Sequence, residues 1–399
     1  MCANRSCDVI AAGHICLDVI PTIGVPAQGL DRLLQPGKLV QVGPAVASTG
    51  GAVSNTGIAL HRLGVPVRLM GKVGDDLFGR AILDLLREQG PELAEGMIVV
   101  PGEATSYTVV ISPPGVDRVF LHCPGANDTF GAADVDPDAF AGVRLFHFGY
   151  PPLMKRMYAD GGAELAALLR RAKEAGLTVS MDMARPDPNS EAGAVDWQAV
   201  LAAALPHVDV FLPSFDELVF MLDRPLFDRL AEQGDEPVLH ADGELLARLS
   251  GRLLEMGAAV AVIKLGDNGL YMRTTADRQR LERMGAAKPA SPDGWLGREL
   301  MAECYRVEVV GTTGAGDCTI AGWLCGLIKG LDPEATLQSA VATGACNVER
   351  ADATSGIPAW ETVQARMAAG WDKRPHALKL QRWRYDTAAQ LWFGPHDGR

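Results

Sequence analysis

Short apolar runs alternate with amphipathic stretches along most of this chain, and that rhythm constrains the fold more than any other feature. The runs Asp8–Ala12, Val67–Gly71, Arg144–Phe148, Leu177–Met181, Val208–Leu212 and Ala259–Leu265 read as strands. The stretches Ser54–Leu63, Gly79–Gln89, Gly162–Ala175, Ser214–Leu222, Gly243–Met256, Asp317–Lys329 and Pro333–Arg350 read as helices. Strands separated by helices of this length imply a mostly parallel sheet covered on both faces. The expected fold class is α/β.

Two regions break the rhythm. Val19–Ser48 is rich in Pro and Gly and lacks helical periodicity. Thr105–Ile111 and Arg118–His122 alternate in strand fashion around Ser112-Pro-Pro-Gly-Val-Asp117, whose residues suit a hairpin turn. Together these segments are expected to form a small β layer beside the main sheet. Two stretches read as additions. Thr274–Glu303 is polar, with Pro and Gly, and is expected to contain loop. Trp371–Arg399 carries Trp371, Trp383 and Trp392 among basic residues. It reads as a tail packed over the domain surface, since Trp is seldom left fully exposed; a partner-binding tail is the alternative.

Composition then excludes several classes. Charged residues make up 22 % of the 399, close to the globular average, which argues against extended disorder. The net charge of −12 argues against wholesale binding to nucleic acid. It leaves room for a small anion held by backbone amides. The eight cysteines show no C-x-x-C spacing, so zinc ribbons and thioredoxin-like motifs are out. Several lie in apolar stretches, as reduced thiols of a cytoplasmic protein do. No run reaches the roughly 18 apolar residues of a membrane-spanning helix. The N-terminus, interrupted by His14 and Asp18, reads as a first strand and not as a signal peptide. No H-E-x-x-H, G-x-S-x-G, Walker A or G-x-G-x-x-G pattern occurs. His147, in an apolar strand, reads as a core histidine.

Two segments carry chemistry. Gly311-Thr-Thr-Gly-Ala-Gly-Asp317 follows an expected strand, Tyr305–Val310, and opens a helix. Unpaired amides and the positive dipole end make such a loop an anion site. Gly314 and Gly316 let the backbone approach closely. Asp317, in the first turn, is positioned to accept the proton of an attacking hydroxyl, or else simply caps the helix. The second segment runs from Gly50-Gly-Ala-Val-Ser-Asn55 to Gly74-Asp-Asp-Leu-Phe-Gly79. Gly50 and Gly51 would let a polyol lie against the backbone, and Asn55 would bind its hydroxyls. Helix capping by Ser54 or Asn55 is the competing reading.

Together the two segments, in this order, resemble the paired signatures of the ribokinase-like family, the PfkB carbohydrate kinases. The match runs from about Cys7 to Pro358. The resemblance implies a three-layer α/β/α sandwich with a small β-sheet lid, formed here by residues 19–48 and 105–122. It implies a kinase domain over residues 1–370, with the 371–399 extension packed upon it. It further implies phosphoryl transfer from ATP to a hydroxyl of a sugar or sugar acid. Asp317 then matches the catalytic base, and Gly314, Ala315 and Gly316 the anion hole. Asp18 matches the carboxylate that binds a substrate diol, with Gly50, Gly51 and Asn55 as further contacts. Tyr107, Arg118, Asn127 and Tyr150 are candidates to face the substrate from the lid side. Lys264, Gly266 and Gly269 resemble the turn beneath the nucleotide, with Thr312 and Asn347 beside it.

Ser214-Phe-Asp-Glu217 stands where the family has Asn-x-x-Glu, and Glu217 is expected to order Mg²⁺ through water. Ser214 and Glu217 also fit a capping box. Gly311 replaces an Asp that helps relatives hold potassium, which puts monovalent-cation activation in doubt; Ser355 and the carbonyls near Ala351 remain as ligands. A nucleoside or sugar-phosphate kinase and a non-catalytic sugar-binding protein stay open as alternatives. The lid is poor in Phe and Trp, which favours a sugar over a nucleoside. A homodimer formed through the lid is the expected assembly.

Overall fold

The computed structural model describes residues 7–24, 33–115 and 118–399. Its main sheet has ten strands. From one edge they run Val67–Met70, Val9–Gly13, Leu145–Gly149, Thr178–Met181, Val210–Phe211 and Val260–Lys264, all parallel to their neighbours. Leu270–Thr274, Glu299–Ala302, Leu391–Phe393 and Arg384–Asp386 then continue the sheet antiparallel.

The pleat divides the core in two. Val9, Ala11, Val260 and Val262 point to one face and pack beneath helices Ala52–Arg62, Ala315–Ile328 and Pro333–Val348. Ile10, Ala12, Ala261 and Ile263 point to the other, towards Ala163–Glu174, Trp197–Ala204 and Gly243–Glu255. Every residue of Val9–Gly13 and Leu145–Gly149 is buried. Apolar runs without alternation thus mark strands covered on both faces, and the three-layer α/β/α sandwich follows.

A second sheet of four strands lies beside the first, in the order Ala45–Gly50, Cys16–Pro21, Tyr107–Ile111, Val119–Cys123. The hairpin 107–123 is antiparallel, and Cys16–Pro21 pairs parallel to it. Part of the Pro- and Gly-rich segment and two residues of the hairpin turn lie outside the described residues.

The structure changes or extends three expectations. Tyr305–Val310 is not a strand: Tyr305 makes one isolated bridge to Lys373, and Val309 and Val310 are exposed. The stretch 274–303 contains loop as expected, at 283–291 and 296–298, but its ends belong to sheet strands and it also holds helices Arg278–Glu282 and Pro292–Trp295. The tail does more than cover a surface: it supplies two edge strands, seats Trp383 against Tyr271 and stacks Trp371 on Tyr305 at 4.4 Å.

Candidate active site

The parallel strands end on the same side, and the first polar residues after them converge there, as open α/β sheets dictate. His14 follows Val9–Gly13, and Tyr150 follows Leu145–Gly149. Asp182 follows Thr178–Met181, Ser214 and Glu217 follow Val210–Phe211, and Lys264 ends the last parallel strand.

Asp317 sits above this row in the first turn of Ala315–Ile328. Gly314, at φ +71°, is the N-terminal residue of that helix and no side chain caps it. Asp317 is therefore not a cap. Its carboxylate is buried and accepts from two side chains: Asn55 Nδ2 to Oδ2 at 2.9 Å, and Tyr150 Oη to Oδ1 at 2.7 Å. Asn55 comes from helix Ala52–Arg62, so the two motifs meet across 262 positions of sequence. Ser54 and Asn55 do not cap their helix either, because Gly51 begins it with no side-chain cap. Burial raises the Asp317 carboxyl above its ordinary value, partly offset by Lys264, Asn55 and Tyr150. Burial and the neighbouring Asp317 push the Tyr150 phenol well upward, so it stays a donor.

Beneath lies a second carboxylate group. Lys264 Nζ reaches Asp182 Oδ1 at 2.6 Å; the Asp182 side chain is buried and that of Lys264 partly so. Burial pushes Asp182 up to about 8; Lys264 opposes this, while Glu217 and Asp317 reinforce it. Burial alone would lower the Lys264 ammonium, but Asp182 and Glu217 outweigh it and hold it protonated. Glu217 completes the expected capping box: Ser214 N donates to Glu217 Oε2 at 2.6 Å, and Glu217 N to Ser214 Oγ at 3.3 Å. A Cβ on Gly316 would stand 3.7 Å from Lys264 Nζ, so the ammonium lies just under the glycine loop.

Across the loop from Asp317 opens a cavity of about 520 Å³. Lys264, Gly266, Gly269, Thr312, Ala315 and Gly316 line it. Gly269, at φ +112°, runs so close to the next strand that a Cβ would lie 2.0 Å from Ala302 O. The misread segment explains itself here: Val307 and Val309 are apolar because they border this cavity. Asn347 does not line it. Its side chain is buried and donates to Ala353 O at 2.7 Å, while its helix neighbours Gly344, Ala345 and Val348 form the wall.

On the other side of Asp317 lies the small sheet. Ser48, Asp18, Thr108 and His122 pair in register across its four strands, so they share one face. Thr108 Oγ1 and His122 Nδ1 are 3.0 Å apart. Burial raises the Asp18 carboxyl, though Cys16 and Thr108 hydrogen-bond to it. The glycine pair leaves room for these side chains: a Cβ on Gly50 would lie 2.3 Å from Asp18 Oδ2, and one on Gly51 2.6 Å from His14 Nδ1. Gly51 also holds φ +93°, which L side chains rarely adopt. Gly51→Ala is expected to destabilise the fold by more than about 1 kcal/mol, read as a lower Tm.

Two lid candidates fall elsewhere. Tyr107 lies on the opposite face of the sheet, against Phe78 at 5.2 Å. Asn127 is fully buried, its amide bonded to both the N–H and the C=O of Ile15. Arg118 reaches from the hairpin to the glycine loop, donating to Thr313 Oγ1 at 2.7 Å. At the position in doubt for potassium, a Cβ on Gly311 would press on the Arg350–Ala351 backbone within 3.0 Å, and Ser355 Oγ is bonded to Asp352.

His14, Thr108, His122 and Asp182 were not singled out from sequence. For His14 and Asp182 the signal exists: each is the first polar residue after an apolar strand. For Thr108 and His122 it does not, because the row forms only when distant strands come into register.

Known proteins share the sequence pattern and the fold. The model of the pfkB family carbohydrate kinases matches residues 25–360. An uncharacterized sugar kinase of Archaeoglobus fulgidus is 26% identical over 289 residues, covering 72% of this chain and 94% of its own. A probable fructokinase of Arabidopsis thaliana is 25% identical over 372 residues, covering 90% and 95%. Among solved structures, Arabidopsis thaliana ribokinase complexed with ribose and ATP superposes with a TM-score of 0.68 at 16% identity, covering 90% of this chain and 98% of the other. The chain belongs to the PfkB family of carbohydrate kinases and is a phosphotransferase acting on a sugar hydroxyl.

Proposed function

We propose that this sugar kinase transfers the γ-phosphoryl group of ATP to the acceptor hydroxyl, with Asp317 as general base. The observation that carries the reading is the placement of Asp317. Its buried carboxylate is oriented on both oxygens, between the polar row of the small sheet and the cavity under the glycine loop. The acceptor O–H gives its proton to Asp317 as its oxygen bonds to the γ-phosphorus, and the bond from that phosphorus to the departing ADP breaks. The amides of Gly314, Ala315 and Gly316 and the ammonium of Lys264 would stabilise the charge on the transferring group.

Mg²⁺ fits this site through water. Among the described residues no group of three His, Cys, Asp or Glu side chains is arranged to hold a metal directly. Glu217 and the unpartnered buried Oδ2 of Asp182 are suited to bind the water shell of the ion. The ion would neutralise charge on the nucleotide phosphates.

The sugar would lie along Asp18, Thr108 and His122. A second copy of the chain would cover the lid, where Val46 and Phe120 are each more than half exposed. Sedimentation velocity is expected to give a dimer, and Phe120→Glu a monomer.

The direct test of the reaction is ADP release across a panel of D-fructose, D-ribose, D-gluconate and adenosine. A sugar is expected to stimulate release, and adenosine is not. Stimulation by adenosine alone would replace the reading with a nucleoside kinase. Binding of a sugar with no release would point to a non-catalytic binding protein.

A further inference from the structure

The phosphoryl transfer above leaves the chemistry of His14 unused. His14 is 2 % exposed, and neither ring nitrogen has a hydrogen-bond partner. Buried polar side chains are nearly always satisfied, so a doubly unpartnered imidazole calls for a missing partner. Its surroundings say where that partner goes. The ring stands 5.3 Å from His122 on the lid and 6.2 Å from Tyr150, centroid to centroid. Tyr150 holds Asp317, and His122 holds Thr108 in the row that contains Asp18. His14 therefore sits midway between the base and the polar row. Gly51 leaves room for the ring there, since any Cβ would strike Nδ1.

We infer that His14, backed by His122, is a specificity-determining residue that reads hydroxyls of the acceptor sugar next to the one being phosphorylated. This rests on the sugar-kinase reading above. The chemistry favours an uncharged polyol. A neutral imidazole offers one donor and one acceptor nitrogen, matching hydroxyls, which do both. Burial lowers His14 to about 3, and it lowers His122 as well, so both rings are neutral at ordinary pH. With Ser48, Asp18 and Thr108 as their neighbours the row itself carries no cation, and Arg118, just before the strand of His122, donates to Thr313 of the glycine loop.

The inference separates function from stability. Replacing an unsatisfied buried group by an apolar one of similar shape is neutral or stabilising. His14→Phe should therefore keep or raise Tm. At the same time it should raise KM for the best neutral sugar of the panel about tenfold, and leave KM for ATP within twofold. His14→Gln, which keeps a donor and an acceptor, should recover part of the loss. Imidazole ¹⁵N NMR of the unaltered protein gives a reading that needs no variant to fold: D-fructose or D-ribose should shift the His14 nitrogens.

A sugar KM unchanged in His14→Phe, or His14 nitrogens unmoved at saturating sugar, would overturn the inference. So would D-gluconate proving a better acceptor than both neutral sugars. If the unaltered protein phosphorylates no sugar, the kinase reading has failed on its own. Calorimetry of the same sugars then decides for His14: binding lost in His14→Phe supports it, and binding retained or absent throughout sinks it.

Discussion

Asp317→Asn is expected to lower kcat by about 10³-fold while leaving the affinity for sugar and ATP close to unchanged. The amide keeps the volume and can still accept from Tyr150 or Asn55, so the site should hold its shape. What it loses is the ability to take the acceptor proton. The pH profile carries a second signature. A base works only when deprotonated, so kcat falls as pH drops through its pKa. Burial raises the Asp317 carboxyl, which moves that acid limb above the ordinary carboxylate value of 3.8. Asn55, Tyr150, Lys264, Asp182 and Glu217 surround it, and Lys264 is the cation that keeps the limb from moving further. Single-turnover kinetics at saturating ATP and sugar checks both points. Turnover in the Asn variant within tenfold of the original would remove Asp317 as the base.

Lys264→Met should have the largest effect on stability. The methionine fills the space of the lysine stem but leaves Asp182 and Glu217 without their cation in a buried setting. Breaking a buried pair in this way typically costs about 3–5 kcal/mol. The sign of the pH dependence follows from the raised carboxyls. At low pH both are protonated and need no partner, so the deficit narrows. As pH rises through the region near 8 where Asp182 titrates, the deficit widens. Urea denaturation at a series of pH values reads this directly. A deficit that is constant with pH would show that the lysine acts through packing alone. The same variant should raise KM for ATP, because the ammonium lies under Gly316 in the wall of the cavity.

The sheet and the Asp317 corner were legible in the sequence for different reasons. Val9–Gly13 and Leu145–Gly149 announce themselves because strands buried on both faces are apolar at every position. Asp317 and Asn55 are legible because each lies in a glycine-bearing turn at a helix start. Cavity walls break the same logic. Val307 and Val309 look like a strand since apolarity does not tell a core from a ligand-sized hollow. Asn347 and Asn127 look like ligand contacts, yet each satisfies a backbone group inside the fold. The antiparallel strands Leu270–Thr274 and Glu299–Ala302 were hidden by the polar stretch between them. Their pairing depends on neighbours that local pattern does not encode.

The two tail strands have a consequence for synthesis. Glu299–Ala302 finds its outer partner only in Leu391–Phe393. While residues 303–390 are still being added, that strand presents unpaired amides and carbonyls along an open edge. At about 5–20 residues per second this interval lasts about 5–20 s. Through it, the nascent chain carries the kind of edge that other chains can pair with. Variants that weaken Leu391 or Trp392 are therefore expected to show themselves first as poor soluble yield during expression, before any change in the kinetics of the folded enzyme.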